Sequence, residues 1–164
     1  MKKMQISKEQ EVIVDDEDFA KLSKYNWYAL NTPWGFYAYR IEYSPKRFIY
    51  LHRELLGLKH GDRRKGDHVD GNHLNCQRSN LRIATAGQNS WKQRKWRKKT
   101  SSKYKGVSLD KRKKAKGRPW YAYIKKNRRR KFLGYFESQE QAADAYDEAA
   151  EKMFGTFACL NRAA

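Results

Sequence analysis

The chain has 164 residues, with 37 Lys and Arg against 18 Asp and Glu, and a formal net charge of +19. That length allows one ordinary domain or two or three very small ones. No long apolar run occurs, which excludes a transmembrane helix, and the polar start Met1-Lys2-Lys3-Met4-Gln5 does not resemble a signal peptide. A soluble, cytoplasmic protein is the expectation.

Residues 11–57 read as a small mixed α/β region. Val12-Ile13-Val14 is a short strand, and Asp15–Ser23 a helical turn with Phe19 and Leu22 inward. Trp27–Leu30, Phe36–Ile41 and Phe48–Leu51 are rich in aromatic and β-branched residues and are separated by Pro and Gly, which predicts a small antiparallel sheet. His52–Leu56 is a short helix ending at Gly57. Residues 58–66 form a basic loop.

Gly66–Val69 and Leu81–Ala84 are predicted strands around a polar loop, Asp70–Ser79. Thr85 and Gln88 have the spacing of a capping box, so a helix is expected from there to about Arg97, with Asn89 in its first turn. Residues 98–102 are a basic linker. Tyr104–Leu109, Trp120–Lys125 and Arg130–Phe136 are three more strands joined by basic turns. Ser138 and Gln141 form a second capping box. The helix they open has Ala142, Tyr146, Ala149 and Met153 on one stripe and stops at Gly155. Trp120, Ile124 and Leu133 are expected between that helix and the sheet. No repeat of solenoid length is visible.

Charge is concentrated rather than spread. Residues 92–131 hold 20 Lys and Arg and one acid, Asp110, and the rest of the chain nets to zero. A local field of this strength attracts a polyanion and speeds encounter with it. A solvated charge run, or a tail for acidic proteins or membrane headgroups, is the plainer reading. The aromatics interleaved with the charges (Trp91, Trp96, Tyr104, Trp120, Tyr121, Tyr123) favour a folded nucleic-acid-binding surface.

The densest chemistry lies in Asp67-His68-Val69-Asp70-Gly71-Asn72, Asn75, Asn80-Leu81-Arg82 and Asn89. Taken singly these are turn formers and a surface histidine. Taken together they supply what phosphodiester cleavage needs. His68 is a general base that is largely neutral near pH 7. Asp67 and Asn89 offer oxygens to one hard divalent cation, magnesium or manganese. Asn80, at the return of the loop, is placed to bond a backbone carbonyl or a ring nitrogen and orient His68. Strict extension would put Asp67 and His68 on opposite sides of their strand, so a twist or bulge is expected there. Cys76 and Cys159 are far apart and no Cys-x-x-Cys occurs, which argues against a zinc finger or disulfide framework. A Cys/His zinc site around His68, His73 and Cys76 lacks a fourth ligand, so no structural zinc is expected.

These residues resemble the HNH endonuclease motif of the phage and intron homing-endonuclease branch. The resemblance implies a ββα-metal finger over residues 58–97, with Asp67 and Asn89 as metal ligands, His68 as general base and Asn80 as the structural asparagine of the loop. Cys76-Gln77-Arg78 departs from the commoner asparagine-rich loop. Leu51-His52-Arg53, just upstream, recurs in such nucleases; His52 reads as structural, and Arg53 as structural or phosphate-contacting. His73 has no matched role and reads as a surface or phosphate-contacting residue.

Residues 103–162 resemble the plant APETALA-two/ethylene-response-factor DNA-binding domain, through Tyr104-Lys105-Gly106-Val107, Trp120–Ile124, Phe132–Phe136, Glu140–Asp147, Gly155 and Leu160-Asn161. The resemblance implies a three-stranded sheet that enters the major groove, with Ser108, Tyr123, Lys125, Arg130 and Phe132 at the contact positions. Ser108 and Tyr123 differ from the arginine and glutamate common in the plant proteins, so the plant target sequence does not carry over. Lys111 and Arg112 begin a turn expected to touch phosphates.

The fold expected is α+β: a small mixed region over 1–57, the finger, a linker, and a sheet packed on one helix. The function expected is a site-specific, metal-dependent endonuclease on duplex DNA, encoded by a phage or mobile element in a bacterial host. One cutting unit per chain suits nicking, and a homodimer would permit a double-strand break. The rivals are a transcription regulator with an inactive nuclease unit and an RNA-binding protein.

Overall fold

The computed structural model describes residues 1–92, 101–112 and 117–162. It is mixed α and β, built from small antiparallel sheets and short helices in two compact units, Met1–Ala86 and Gly87–Ala164. The distal part of the expected helix to Arg97, the linker 98–100, Trp96 and residues 113–116 of the basic turn lie outside the described residues.

The first unit begins with a hairpin, β1 (Lys2–Ile6) and β2 (Gln10–Val14), followed by α1 (Asp16–Leu22). β1 was not expected from the sequence. Met4 and Ile6 point inward, Lys3 and Gln5 alternate with them towards water, and Lys2 at the strand's start is exposed. β3 (Tyr28–Thr32), β4 (Gly35–Tyr43) and β5 (Lys46–Tyr50) form the antiparallel sheet read from the aromatic runs. The short α2 (Leu51–Leu55) follows directly. β6 (Lys65–His68) pairs with β7 (Leu81–Ala84), and a 3-10 turn at Arg78–Asn80 leads into β7.

One apolar cluster holds this unit. Val12, Val14, Leu22, Trp27, Ala29, Ala38 and Leu51 pack with Cys76 and Leu81, so residues on either side of position 57 share a core. Two alanines on the inner face of the β3–β5 sheet let the hairpin and α1 approach closely. The Trp27 indole N–H donates to the carbonyl of Leu22, so its polar edge is satisfied inside the core.

The second unit contains α3 (Ala86–Trp91), of which Gly87 onward belongs to it, then β8 (Val107–Leu109), β9 (Trp120–Lys126), β10 (Arg129–Phe136) and α4 (Gln139–Phe154). The sheet order is β10-β9-β8, all antiparallel. Asn127 and Arg128, with φ of 50° and 65°, make the tight β9–β10 turn. The register shifts between Phe132 and Gly134, leaving Leu133 as the extra residue of a bulge.

The capping box at the start of α4 is present: Ser138 accepts from the Gln141 backbone N–H, and the Gln141 side chain accepts from the Ser138 N–H. The buried stripe of α4 runs through Ala142, Ala143, Tyr146, Ala150 and Phe154. Ala149 and Met153, expected on the stripe with Ala142 and Tyr146, flank it. The alanines bring the helix axis close to the sheet, and Trp120, Leu133 and Ile124 fill the layer between. The Trp91 indole stacks on Phe154 with ring centroids 4.6 Å apart, which fastens α3 to this unit. Asn161 closes the unit by accepting from the Lys105 N–H and donating to the Lys105 carbonyl, while its own N–H reaches Asp147.

Gly106 is the tightest point. Its φ is +74°, and a β-carbon there would come within 2.2 Å of the Tyr146 ring and 2.6 Å of the Tyr123 carbonyl. Gly106→Ala is expected to cost about 2–4 kcal/mol, from overpacking and positive-φ strain together. Urea unfolding followed by the fluorescence of the second unit's tryptophans should show the lowered midpoint. An unchanged midpoint would refute the close packing of β8 on α4.

Candidate functional site

His68 ends β6 and is 2% exposed, and Asp67 before it is 6% exposed. Their strand pairs continuously with β7, Asp67 opposite Arg82 and His68 opposite Leu81. The bulge expected at this point is not seen in that register. Both side chains are buried because each face of the two-stranded ribbon is covered.

On one side Arg82 donates through Nε to the Asp67 carboxylate at 2.7 Å. A guanidinium bonded to a carboxylate fixes its rotamer and keeps negative charge at this depth tolerable. On the other side His68 lies in a cluster of rings. His52 is 5.0 Å away between centroids, His73 5.4 Å and Tyr37 6.2 Å. His73, half-buried, stacks on Tyr37 at 4.2 Å. The Cys76 sulfur lies 3.7 Å from His68 Nε2.

His52 packs beneath β6 because residue 66 is glycine. A β-carbon on Gly66 would stand 2.4 Å from the His52 ring. Burial, with the electrostatic influence of His68, Arg53 and His73, pushes the His52 imidazole down from 6.5 to about 3, so it stays neutral. Burial likewise pushes the Cys76 thiol up to about 12, so it is not a thiolate near neutrality. Among the described residues no group of three or more His, Cys, Asp or Glu side chains is arranged to hold a metal ion.

The loop between β6 and β7 is fixed from within and from outside. Asn80 donates through Nδ2 to the Asp70 carboxylate at 2.9 Å and to the Asn75 carbonyl at 2.8 Å, and its Oδ1 accepts from the Asp70 N–H. Its carbonyl accepts from the Val69 N–H, next to His68. Burial of Asp70 opposes ionisation, but donors from Asn75, Asn72 and Asn80 and the positive character of His68 outweigh it and hold the carboxyl below its ordinary range.

From outside, Ile13 on β2 exchanges backbone bonds with Leu74 and Cys76. Arg78 makes a two-pronged bond to Asp18, at 2.8 and 2.7 Å, and its N–H donates to Asp15. Arg53 donates to the carbonyls of Lys59, Asp62 and Arg64, so its guanidinium clamps the basic loop.

Asn89 lies on α3, half-buried. In the second unit, cross-strand register puts Ser108, Tyr123, Lys125, Arg130 and Phe132 on the sheet face turned away from α4, since the alternate positions Val107, Ala122 and Ile124 are buried against it. The Arg130 guanidinium lies over the Tyr123 ring at 4.1 Å. Phe132 is exposed and packs edge-on against Tyr135, which meets Tyr121. Lys111 and Arg112 follow β8; Arg112 bonds back to Asp110, capping the turn.

Over 145 residues the chain is 35% identical to an uncharacterized HNH endonuclease of Acanthamoeba polyphaga mimivirus, covering 86% of this chain and 69% of the relative. This chain belongs to the HNH endonuclease family. No family model matches it, and no solved structure matches it. The relative comes from a giant virus rather than a named phage.

Sequence reasoning about this HNH endonuclease singled out Asp67, His68, Asn80 and Asn89. It gave no role to Tyr37 and Arg82, although both line the surroundings of His68 and Asp67. Arg82 had a readable signal, since it stands where an antiparallel return from Asn80 must place it opposite Asp67. Tyr37 had none, because its sheet is separate from β6 in sequence.

Two outcomes follow. Arg78→Ala leaves the buried Asp18 carboxylate without its charged donors and should destabilise the first unit by about 1–3 kcal/mol. Faster amide exchange at Cys76 would show the loosened loop, and unchanged exchange would exclude the clamp. Second, the unfolded chain takes up a proton at His52 near pH 6.5 while the folded chain resists until about 3. The His52 contribution to stability is therefore whole above pH 6.5 and is lost as pH falls towards 3. His52→Phe should flatten the acid limb of a stability–pH curve, and an unaltered limb would refute the burial of a neutral imidazole there.

Proposed function

We propose that this HNH endonuclease is a site-specific, divalent-metal-dependent enzyme that hydrolyses phosphodiester bonds of duplex DNA. The observation that carries the reading is that β6 ends on Asp67 and His68, buried on opposite sides of the β6–β7 ribbon, beside a loop held by Asn80. In this reading β6, its loop, β7 and α3 form a ββα-metal finger.

His68 acts as the general base that takes a proton from the attacking water. The rings around it fix its plane, so little orientation remains to be found when substrate arrives. Asn80 is a positioning residue, holding the loop and, through the Val69 N–H, the end of the His68 strand. The Asp67 carboxylate suits a hard cation: it is an oxygen donor, already oriented by a cationic partner, Arg82. Asp67 and Asn89 would hold magnesium or manganese. Such an ion supplies charge stabilisation at the phosphate and the leaving oxygen.

The second unit anchors the enzyme. Its APETALA-two-like sheet offers Arg130, Lys125, Tyr123, Phe132 and Ser108 to the major groove, and Lys111 and Arg112 to phosphates. The intramolecular bond from Arg112 to Asp110 makes its phosphate contact secondary to that of Lys111.

The test is cleavage of supercoiled plasmid carrying the target, with magnesium, with EDTA and with His68→Ala. The expected result is metal-dependent nicking or linearisation that falls by about 100-fold or more in His68→Ala. Cleavage that survives His68→Ala would remove His68 as the base. Binding without cleavage would favour a regulator built on an inactive nuclease unit.

A further inference from the structure

The β3–β5 sheet has two unlike faces. One buries Ala29 and Ala38 in the core of the first unit and also carries the sheet's acid, Glu42, paired with Arg47. The other is aromatic. Register places Tyr28, Tyr39 and Tyr50 side by side across three strands, with Tyr37 and Tyr43 on the same face by alternation and Phe48 beside Tyr39.

The rings touch in two groups, brought side by side by the pairing of Tyr39 with Tyr50. Tyr28 meets Tyr39 at 5.8 Å, Tyr39 meets Phe48 at 5.4 Å, and Tyr37 meets Tyr50 at 6.4 Å between centroids. Tyr37 continues the line to His73 and His68. One end of this surface is therefore buried at the candidate catalytic histidine. The other is open: Tyr28 is 39% exposed, Phe48 56% and Tyr43 74%. Among the strand residues no acid stands on this face, and Lys46 lies on it opposite Tyr43; Asp67 approaches only at the buried Tyr37 end.

We propose that this face is a stacking platform for an unpaired stretch of DNA strand, leading to the His68 site. A row of exposed rings is what unstacked bases use, because every base has a π-face and each stacked base gains substantial affinity. In an intact duplex those faces are covered by neighbouring bases and cannot reach a flat sheet. Hydroxyl tips on the tyrosines leave the surface wettable when empty. Lys46 on the face, with no acid among its strand residues, matches a polyanion better than an apolar protein partner. The direction of the strand towards His68 rests on the nuclease reading; the stacking itself does not. The substrate class thus becomes DNA with locally separated strands, such as a bubble or a fork.

The test uses the full chain in EDTA, so that binding is read without cleavage. Anisotropy of labelled mixed-sequence oligonucleotides gives the affinity for a single strand and for the same sequence as duplex, with wild type, Phe48→Ala, Phe48→Leu and Phe48→Trp. Phe48 is open enough that the fold should tolerate replacement, and circular dichroism checks it. Phe48→Leu keeps an apolar side chain without a ring, and serves if Phe48→Ala unfolds.

Loss of the ring should weaken single-strand binding about tenfold, Phe48→Trp should retain it, and duplex binding should be unaffected. The salt dependence should keep its slope, because no charge is removed. Unchanged single-strand affinity, an equal loss on duplex, or a preference for RNA over the DNA strand would overturn the proposal. So would a dimer that dissociates in Phe48→Ala while single-strand affinity is kept, which would make the face a self-association surface. Plasmid cleavage run in parallel separates the two readings. If Phe48 governs strand binding but no variant cuts, the nuclease reading fails and the platform stands.

Discussion

The Asn80 carboxamide closes the loop between β6 and β7 by using both of its N–H groups and its oxygen on residues of that same loop. Without it the Asn75 carbonyl would lose its Asn80 donor, and the Asp70 carboxylate would keep only the Asn75 side chain and the Asn72 N–H. Each such bond contributes about 1 kcal/mol net, and the buried Asn80 carboxamide leaves none of its polar atoms unsatisfied. The loop's shape therefore depends on an asparagine rather than on an apolar side chain. The end of β6, where His68 and Asp67 sit, inherits that rigidity.

The remaining constraint comes from the N-terminal hairpin and α1. Asp18 is buried and meets Arg78, so the carboxylate and the loop stabilise one another. Ile13 adds backbone bonds on either side of Asn75. Residues that look like a separate region thus form the base on which the loop rests. The same core carries the β3–β5 sheet, whose aromatic outer face reaches the histidine cluster through Tyr37.

The second unit is held together by different means. Its helix carries alanines where it meets the sheet, and Gly106 gives the Tyr146 ring its place, so close approach rather than bulk makes the core. That leaves large side chains for the outer face, where Tyr121, Tyr123, Phe132 and Tyr135 stand among Arg130 and Lys125. Packing small on one side and presenting large, charged groups on the other is how a short domain combines stability with a binding surface.

Much of this was legible along the chain. Alternation and aromatic runs gave β3 to β10, and paired caps gave the start of α4. The spacing from Asp67 to Asn89 gave the candidate site residues. Several features escaped, among them the regular pairing at Asp67 and His68 where a bulge was expected. β1 was hidden because its lysines masked the inward Met4 and Ile6, and the centre of the α4 stripe fell one residue away from the expected line. What the sequence by itself determined is local: which residues alternate, which cap, which carry charge. Only the tertiary structure decided that Arg78 finds Asp18, 60 positions earlier, that Ile13 pairs beside Asn75, and that Tyr37 reaches His73. Those contacts arise because strands with inward apolar faces must share one core, and nothing in local periodicity says which distant segment will complete it.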